Sequence, residues 1–313
     1  MPAFLNNLFL TVVVFPSLAF ASVTEYQTEL ERASWNFDGD KFQCRLIHDV
    51  SDFGQFILSQ NAGGPLTLQL NSDWLPSTGI EASFRLLQPQ WQSADEQADR
   101  RFGARWQSGH ATMVQTAEGF LQSLELGWNW QAQLSDGQGQ QWWVNSANVH
   151  GQPASLAMRR CRKQLLPMSY EQVRRLQLSY PSGSVEADGQ MARYIDAAAQ
   201  YTLADPRITK VLVDGHTDDE GDSLSNLVLS RTRADEIAAR LVAAGVPADK
   251  LEIRGHGERF PLASNGSRNG RATNRRVTIR LVMNNDGTPI STDDELDLNA
   301  TLPKSLNGQV TVK

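Results

Sequence analysis

The chain has 313 residues, of which 20% are charged and 40% are hydrophobic. This length suffices for about two domains, and the composition is that of an ordinary globular protein. The formal net charge of −6 argues against a general nucleic-acid-binding protein, because such proteins present a basic surface to the phosphates.

The N-terminus has the pattern of an export signal. Residues 4–20 are apolar and uncharged, and Ala19-Phe20-Ala21 precedes Ser22 in the small-x-small form of a cleavage site. The alternatives are a buried strand or a membrane anchor, although Pro16 interrupts the run and disfavours a spanning helix. We predict a signal peptide over residues 1–21 that is cleaved after Ala21. No cysteine follows the site, so a lipid anchor is not predicted.

The chain has two cysteines, Cys44 and Cys161. In an exported protein such a pair favours a disulfide, and two buried, unpaired cysteines are the alternative. Neither has a histidine or cysteine at metal-ligand spacing, so no metal site is predicted.

Residues 22–164 predict a β-rich domain, an antiparallel barrel or sandwich. Short runs of alternating polarity are separated by Gly- and Pro-containing turns. The predicted strands include residues 42–47, 53–58, 66–70, 82–86, 123–126 and 156–161. The predicted disulfide would then join an early strand to the last one.

All eight tryptophans lie in this half of the chain. Core packing explains most of them, whereas a protein-binding face is the sharper alternative. Trp128 and Trp130 are spaced to share one face of a strand and fit either interpretation.

The second half predicts an α/β sandwich over residues 170–283, after a short linker at residues 165–169. Strands are predicted at residues 173–180, 208–213, 251–254 and 277–282, with helices between them. Residues 255–274, rich in Gly, Ser, Asn and Arg, predict a solvated loop. Residues 284–313 predict a flexible tail whose last six residues could pair as an edge strand.

Residues 211–242 hold the most informative pattern. A β-branched strand runs into the polar loop of residues 215–222, and a long helix follows with Leu229, Ile237, Leu241 and Val242 on its apolar side. Gly245 is the predicted stop signal. Such a strand–loop–helix unit places loop side chains beside a helix N-terminus, where anions are favoured.

Several motifs of this region resemble the OmpA-like peptidoglycan-binding family. They are Thr217-Asp218, Asn226, Leu229-Ser230, Arg233-Ala234 and Asn274-Arg275-Arg276-Val277. The resemblance implies an OmpA-like fold and a site for the diaminopimelate of peptidoglycan stem peptides, which exposes an ammonium and a carboxylate on one centre.

The resemblance also implies the roles of the site residues. Asp218 would accept from the ammonium, and Arg233 would present a two-donor fork to the carboxylate. Thr217 would lie beside Asp218, with Asn226 and Arg276 at the rim. The alternatives are structural: an Arg233–Asp218 ion pair, a helix cap at Asn226, and a solvated strand charge at Arg276.

Other chemistries fail on spacing. Counted from Asp218, an EF-hand loop would require Gly at Ser223 and Glu at Leu229. The third glycine of a dinucleotide fingerprint would fall at Phe260, and no G-x-S-x-G elbow occurs. We therefore predict no enzyme, no cofactor and no metal.

The first half carries a second, narrower resemblance. Cys44-Arg45-Leu46-Ile47-His48 followed by Phe53-Gly54, in an exported domain fused to an OmpA-like domain, resembles the MotY family of periplasmic flagellar-motor proteins. The resemblance implies docking to the flagellar basal body and a MotX-like partner, and indirectly to the stator, while the second half holds peptidoglycan. A general wall-binding envelope protein is the alternative, and a wall hydrolase is a weaker one.

Overall fold

A computed structural model describes residues 22–93 and 100–284. The predicted signal peptide and the predicted tail from residue 285 onward lie outside the described residues. The chain divides into two compact units, and the second includes four residues from the first half of the chain. The first unit comprises residues 22–60 and Pro65–Lys163, and the second comprises Asn61–Gly64 and the chain from Gln164 onward. Within the described residues, no helix combines the length and the apolar character needed to cross a bilayer.

The first unit contains one ten-stranded sheet, which confirms the predicted β-rich domain. Its strands are β1 (Val23–Gln27), β2 (Asn36–Gly39), β3 (Gln43–Val50), β4 (Gly54–Asn61), β5 (Leu66–Ser72), β6 (Ile80–Leu87), β7 (Arg101–Gln107), β8 (His110–Met113), β9 (Asn129–Asp136) and β10 (Gln141–Asn145). Their spatial order is β1-β10-β9-β6-β7-β8-β5-β4-β3-β2. The β1–β10 pair is parallel, and the other recorded pairs are antiparallel.

Two predicted strands of this unit are wrong, because the segments form helices. Residues 123–125 belong to helix α1 (Ala117–Glu125), which Leu126 terminates, and residues 156–161 belong to helix α2 (Gly151–Arg162). In α2 the buried residues Ala154, Met158 and Cys161 are four and three positions apart, the spacing that places side chains on one face of a helix. Pro153 lies in the first turn, where a missing N–H breaks no intrahelical bond.

The disulfide is present and joins Cys44 of β3 to Cys161. It therefore connects a strand to helix α2, and the predicted strand-to-strand connection is wrong. Both cysteines are buried.

Four of the eight tryptophans are buried in the core, namely Trp35, Trp128, Trp130 and Trp142, so core packing explains half of them rather than most. The Trp130 ring is fully buried and lies 4.5 Å from the Trp35 ring and 5.5 Å from the Phe120 ring. The other four are not buried: Trp106 and Trp143 are partly exposed, Trp74 is 49% exposed and Trp91 is 84% exposed. The core also contains one fully buried histidine, His48, whose Nε2 accepts a hydrogen bond from the Ala147 N–H.

The second unit is a two-layer α/β domain, which confirms the predicted α/β sandwich. Its elements are α3 (Tyr170–Val173), β11 (Arg175–Ser179), α4 (Gly189–Ala204), β12 (Ile208–His216), α5 (Ser223–Ala243), β13 (Leu251–Gly255), α6 (Arg268–Asn274) and β14 (Arg276–Met283). The sheet order is β11-β14-β12-β13. Helix α5 connects the parallel strands β12 and β13, and β14 is antiparallel to β12.

The ends of α5 follow local rules, but two details of this unit differ from expectation. Asp222 caps the helix by accepting from the Ser225 N–H, and Gly245 adopts φ +100° after its end. Val242 is 45% exposed, so it does not lie on the apolar side. The predicted loop over residues 255–274 contains α6, which Ser267 caps by accepting from the Gly270 N–H.

Candidate functional site

Close contact between β12 and α5 creates the framework of the site. A Cβ placed on Gly215 would lie 2.0 Å from the backbone oxygen of Ser230, and one on Gly255 would lie 2.8 Å from the backbone of Arg231. Only glycine permits this approach. The strand end that carries Thr217 and Asp218 is thereby brought against the middle turns of the helix.

The Asp218 carboxylate is buried and paired with Arg275, at 2.7 Å between Nη1 and Oδ2. Arg275 also donates through Nε to the Tyr180 carbonyl at 3.2 Å. Its guanidinium therefore links the end of β11 to residues 217–222, the loop between β12 and α5 that is called the ligand loop below. Oδ1 of Asp218 receives no hydrogen bond from the part of the chain that the structure describes.

Arg233 is fully buried and reaches the same region from α5. Its guanidinium donates to the carbonyls of Ser184 at 2.7 Å, Pro181 at 3.2 Å and His216 at 3.4 Å. It also lies 4.9 Å from the centre of the Tyr180 ring. Burial lowers the pKa of Arg233, while Tyr180 and Asp218 favour its charged form.

No carboxylate within residues 22–93 and 100–284 forms an ion pair with Arg233. The alternative of a structural Arg233–Asp218 ion pair is therefore not observed. Carbonyl oxygens carry only partial charge, and a buried cation that lacks an anion is costly. The arrangement is suited to a ligand carboxylate at Arg233.

Thr217, which precedes Asp218, and Asn226, which lies in the first turn of α5, are both buried. Thr217 Oγ1 is buried and has no hydrogen-bond partner in the described chain. The Asn226 amide donates to the carbonyls of Asp218 and Glu220 and, at 3.1 Å, to Glu258. Asn226 therefore braces the ligand loop, and the cap of α5 is Asp222 instead.

Arg276 lies at the start of β14 and is buried. It pairs in register with His216 and donates to the carbonyls of Asn274 and Phe260. Burial lowers the pKa of Arg276 to about 10, so it is not a solvated strand charge. The neighbouring Arg275 contacts Asp218, and sequence reasoning missed it. The role of Arg276 at the site stays a prediction.

Contacts from the segment between β13 and β14 hold the ligand loop in place. Glu258 accepts from the Ser223 hydroxyl at 2.6 Å, and Arg271 pairs with Glu220 at 3.0 Å. The Thr217 N–H donates to the Gly257 carbonyl. The loop is therefore fixed by several independent contacts before any ligand binds.

A histidine–carboxylate cluster lies along β12. His256 lies 3.0 Å from Asp214, and Arg254 donates to both Asp214 oxygens. Although burial opposes its charge, the hydrogen bonds from His256 and Arg254 lower the pKa of Asp214 to about 2. Burial, with the charge of Arg276, lowers the pKa of His216 from 6.5 to about 4. No group of three or more His, Cys, Asp or Glu side chains in the described residues is arranged to hold a metal.

This cluster predicts acid sensitivity of the second unit. The unfolded chain protonates His216 near pH 6.5, whereas the folded unit resists protonation until about pH 4. The free energy of unfolding of the second unit therefore has its full value above pH 6.5 and decreases as the pH falls, by about 2 kcal/mol at pH 5. Asp214 stays ionised there and contributes no loss.

We expect His216→Gln to remove most of this loss. The measurement is amide hydrogen exchange of β12 at pH 7 and pH 5. If the variant lost as much protection as the wild type, the assignment to His216 would be wrong.

Family models match both units. Residues 26–167 match the MotY N-terminal domain, and residues 184–275 match the OmpA family. The second match contains Asp218, Arg233 and Arg275, and the first contains both cysteines.

Among curated relatives, the sodium-type flagellar protein MotY of Vibrio parahaemolyticus is 27% identical over 245 residues, which are 76% of this chain and 83% of that protein. The outer-membrane lipoprotein YfiB of Pseudomonas aeruginosa is 49% identical over 72 residues, which are 23% of this chain and 43% of that protein. The similarity to this lipoprotein thus spans less than half of its length. A solved structure, the C-terminal domain of Helicobacter pylori MotB, aligns at 25% identity and a TM-score of 0.33, over 39% of this chain and 91% of that one.

Proposed function

Because the chain joins a MotY N-terminal domain to an OmpA-family domain, we propose that it is a flagellar-motor component that anchors the stator and basal-body ring to peptidoglycan. The similarity to the Vibrio flagellar protein supports this role, since it extends over both units. The similarity to the lipoprotein is confined to 72 residues, so an OmpA-family domain alone does not discriminate a motor component from another envelope protein.

The ligand of the second unit is the diaminopimelate centre of a stem peptide. The observation that carries this assignment is Arg233, a buried guanidinium without a carboxylate partner in the described chain. A planar fork of two N–H groups matches a ligand carboxylate. The ligand ammonium then approaches Oδ1 of Asp218, because Oδ2 is already held by Arg275. The unpartnered Thr217 hydroxyl supplies a further polar contact.

The first unit docks on the flagellar basal body and on a MotX-like partner, and through them on the stator. The protein acts in the periplasm after cleavage behind Ala21, and its task is binding rather than catalysis. A single wall contact has modest affinity, because association must overcome lost freedom of motion. Many identical wall sites nearby raise the effective concentration, so a ring of weak contacts suffices to resist torque.

Deletion of the gene tests the role in the motor. We expect cells that still assemble filaments but fail to swim, and restoration of swimming by the wild-type chain. Complementation with Asp218→Asn should leave swimming impaired, because the amide no longer attracts the ammonium. Normal swimming of the deletion strain would favour a general wall-binding envelope protein.

A further inference from the structure

The segment between β11 and α4 covers the candidate carboxylate site. Arg233 donates through Nε to the Ser184 carbonyl and through Nη2 to the Pro181 carbonyl. These donors form one edge of the guanidinium through which it can bind a carboxylate with two N–H groups. The segment and the ligand therefore compete for the same N–H groups.

A tight turn gives the segment its closed shape. The Ser184 N–H donates to the Pro181 carbonyl at 3.2 Å, and Gly183 adopts φ +72° at the third position of the turn. That position favours glycine because an L side chain is strained there. Gly183 is exposed, and a Cβ added to it would meet no atom within 4 Å.

Both ends of the segment are held by backbone contacts that do not involve Arg233. At one end the Tyr180 N–H donates to the Arg275 carbonyl. At the other end Asp188 caps α4, and the Ala187 carbonyl accepts from Arg240 at 3.3 Å. Within residues 181–187, Arg233 donates only to the carbonyls of Pro181 and Ser184, so this part can move while its ends stay in place.

We propose that residues 181–187 form a strap whose closed form occupies Arg233 and which must open before a carboxylate binds. This inference rests on the proposed role of Arg233 in peptidoglycan binding. The closed strap compensates the buried cation with carbonyl oxygens. The apparent affinity for the ligand then equals the affinity of the open form multiplied by the open fraction.

The test is Gly183→Val, measured by calorimetric titration of the full chain with a soluble muropeptide that contains diaminopimelate. Valine disfavours the left-handed backbone of the closed turn by about 5- to 30-fold. We expect tighter binding, by up to that factor. The matched control is Gly139→Val, because Gly139 has φ +91° and open space around its Cβ but lies between β9 and β10. The control should bind like the wild type.

Hydrogen exchange of the wild type gives a second measurement that needs no variant. We expect the muropeptide to increase amide exchange in residues 182–187 while it slows exchange in residues 217–222. Unchanged or weaker binding by Gly183→Val, or protection of residues 182–187 by the ligand, would overturn the strap. If the wild type and Gly183→Val both failed to bind, and Arg233→Ala behaved identically, the proposed binding site itself would be wrong.

Discussion

Arg233→Ala is expected to abolish retention of the protein on purified sacculi. Loss of one member of a buried, hydrogen-bonded charge pair costs about 2–5 kcal/mol, which corresponds to a reduction in affinity of about 30-fold or more. The ligand carboxylate would lose the two-donor fork of Arg233, which is fully buried and forms no ion pair with a carboxylate of the described residues. The measurement is a sacculus pull-down across a range of protein concentrations, with bound protein quantified at each.

Two variants separate binding from folding in this experiment. Arg231→Ala removes an exposed arginine two positions away, which pairs with Asp235 on the same helix, and should bind normally. Arg233→Lys keeps the positive charge but removes the planar fork, so it should bind weakly while keeping more of the buried contacts. Retention of Arg233→Ala at wild-type levels would refute the carboxylate site.

The second large effect concerns the disulfide. Replacement of both Cys44 and Cys161 by serine is expected to lower the free energy of unfolding of the first unit by about 4–5 kcal/mol on the chain-entropy model. The two cysteines are 117 positions apart, so the link removes a large loop-closure entropy from the unfolded chain. Serine hydroxyls in these buried positions add to the loss.

Tryptophan fluorescence isolates this effect, because all eight tryptophans lie at or before Trp143. Urea unfolding followed by this signal reports the first unit alone, whereas the whole chain need not unfold in one step. The wild type should unfold at a lower urea concentration under reducing conditions, and the double variant should be insensitive to the reductant. Coincident curves for the oxidised and reduced wild type would contradict the prediction.

Local patterns predicted the second unit well. β-branched residues before a polar loop and Gly245 as a stop act over a few residues, and the structure has β12 and α5 where these signals indicate. The N-terminal half was harder. Leu124 and Met158 lie in segments with both strand-like and helical apolar spacing, and their burial in the first-unit core favours the helix.

The sequence by itself determined the two-part architecture, the pairing of Cys44 with Cys161, and the motifs that contain Asp218 and Arg233. Only the tertiary structure decided which of two adjacent arginines contacts Asp218, because neighbouring residues at a strand end point to different sides. It also decided that carbonyls of residues 181 and 184 occupy Arg233. Such contacts join segments about 50 residues apart, and backbone acceptors are present at every residue, so no local pattern of side chains marks them.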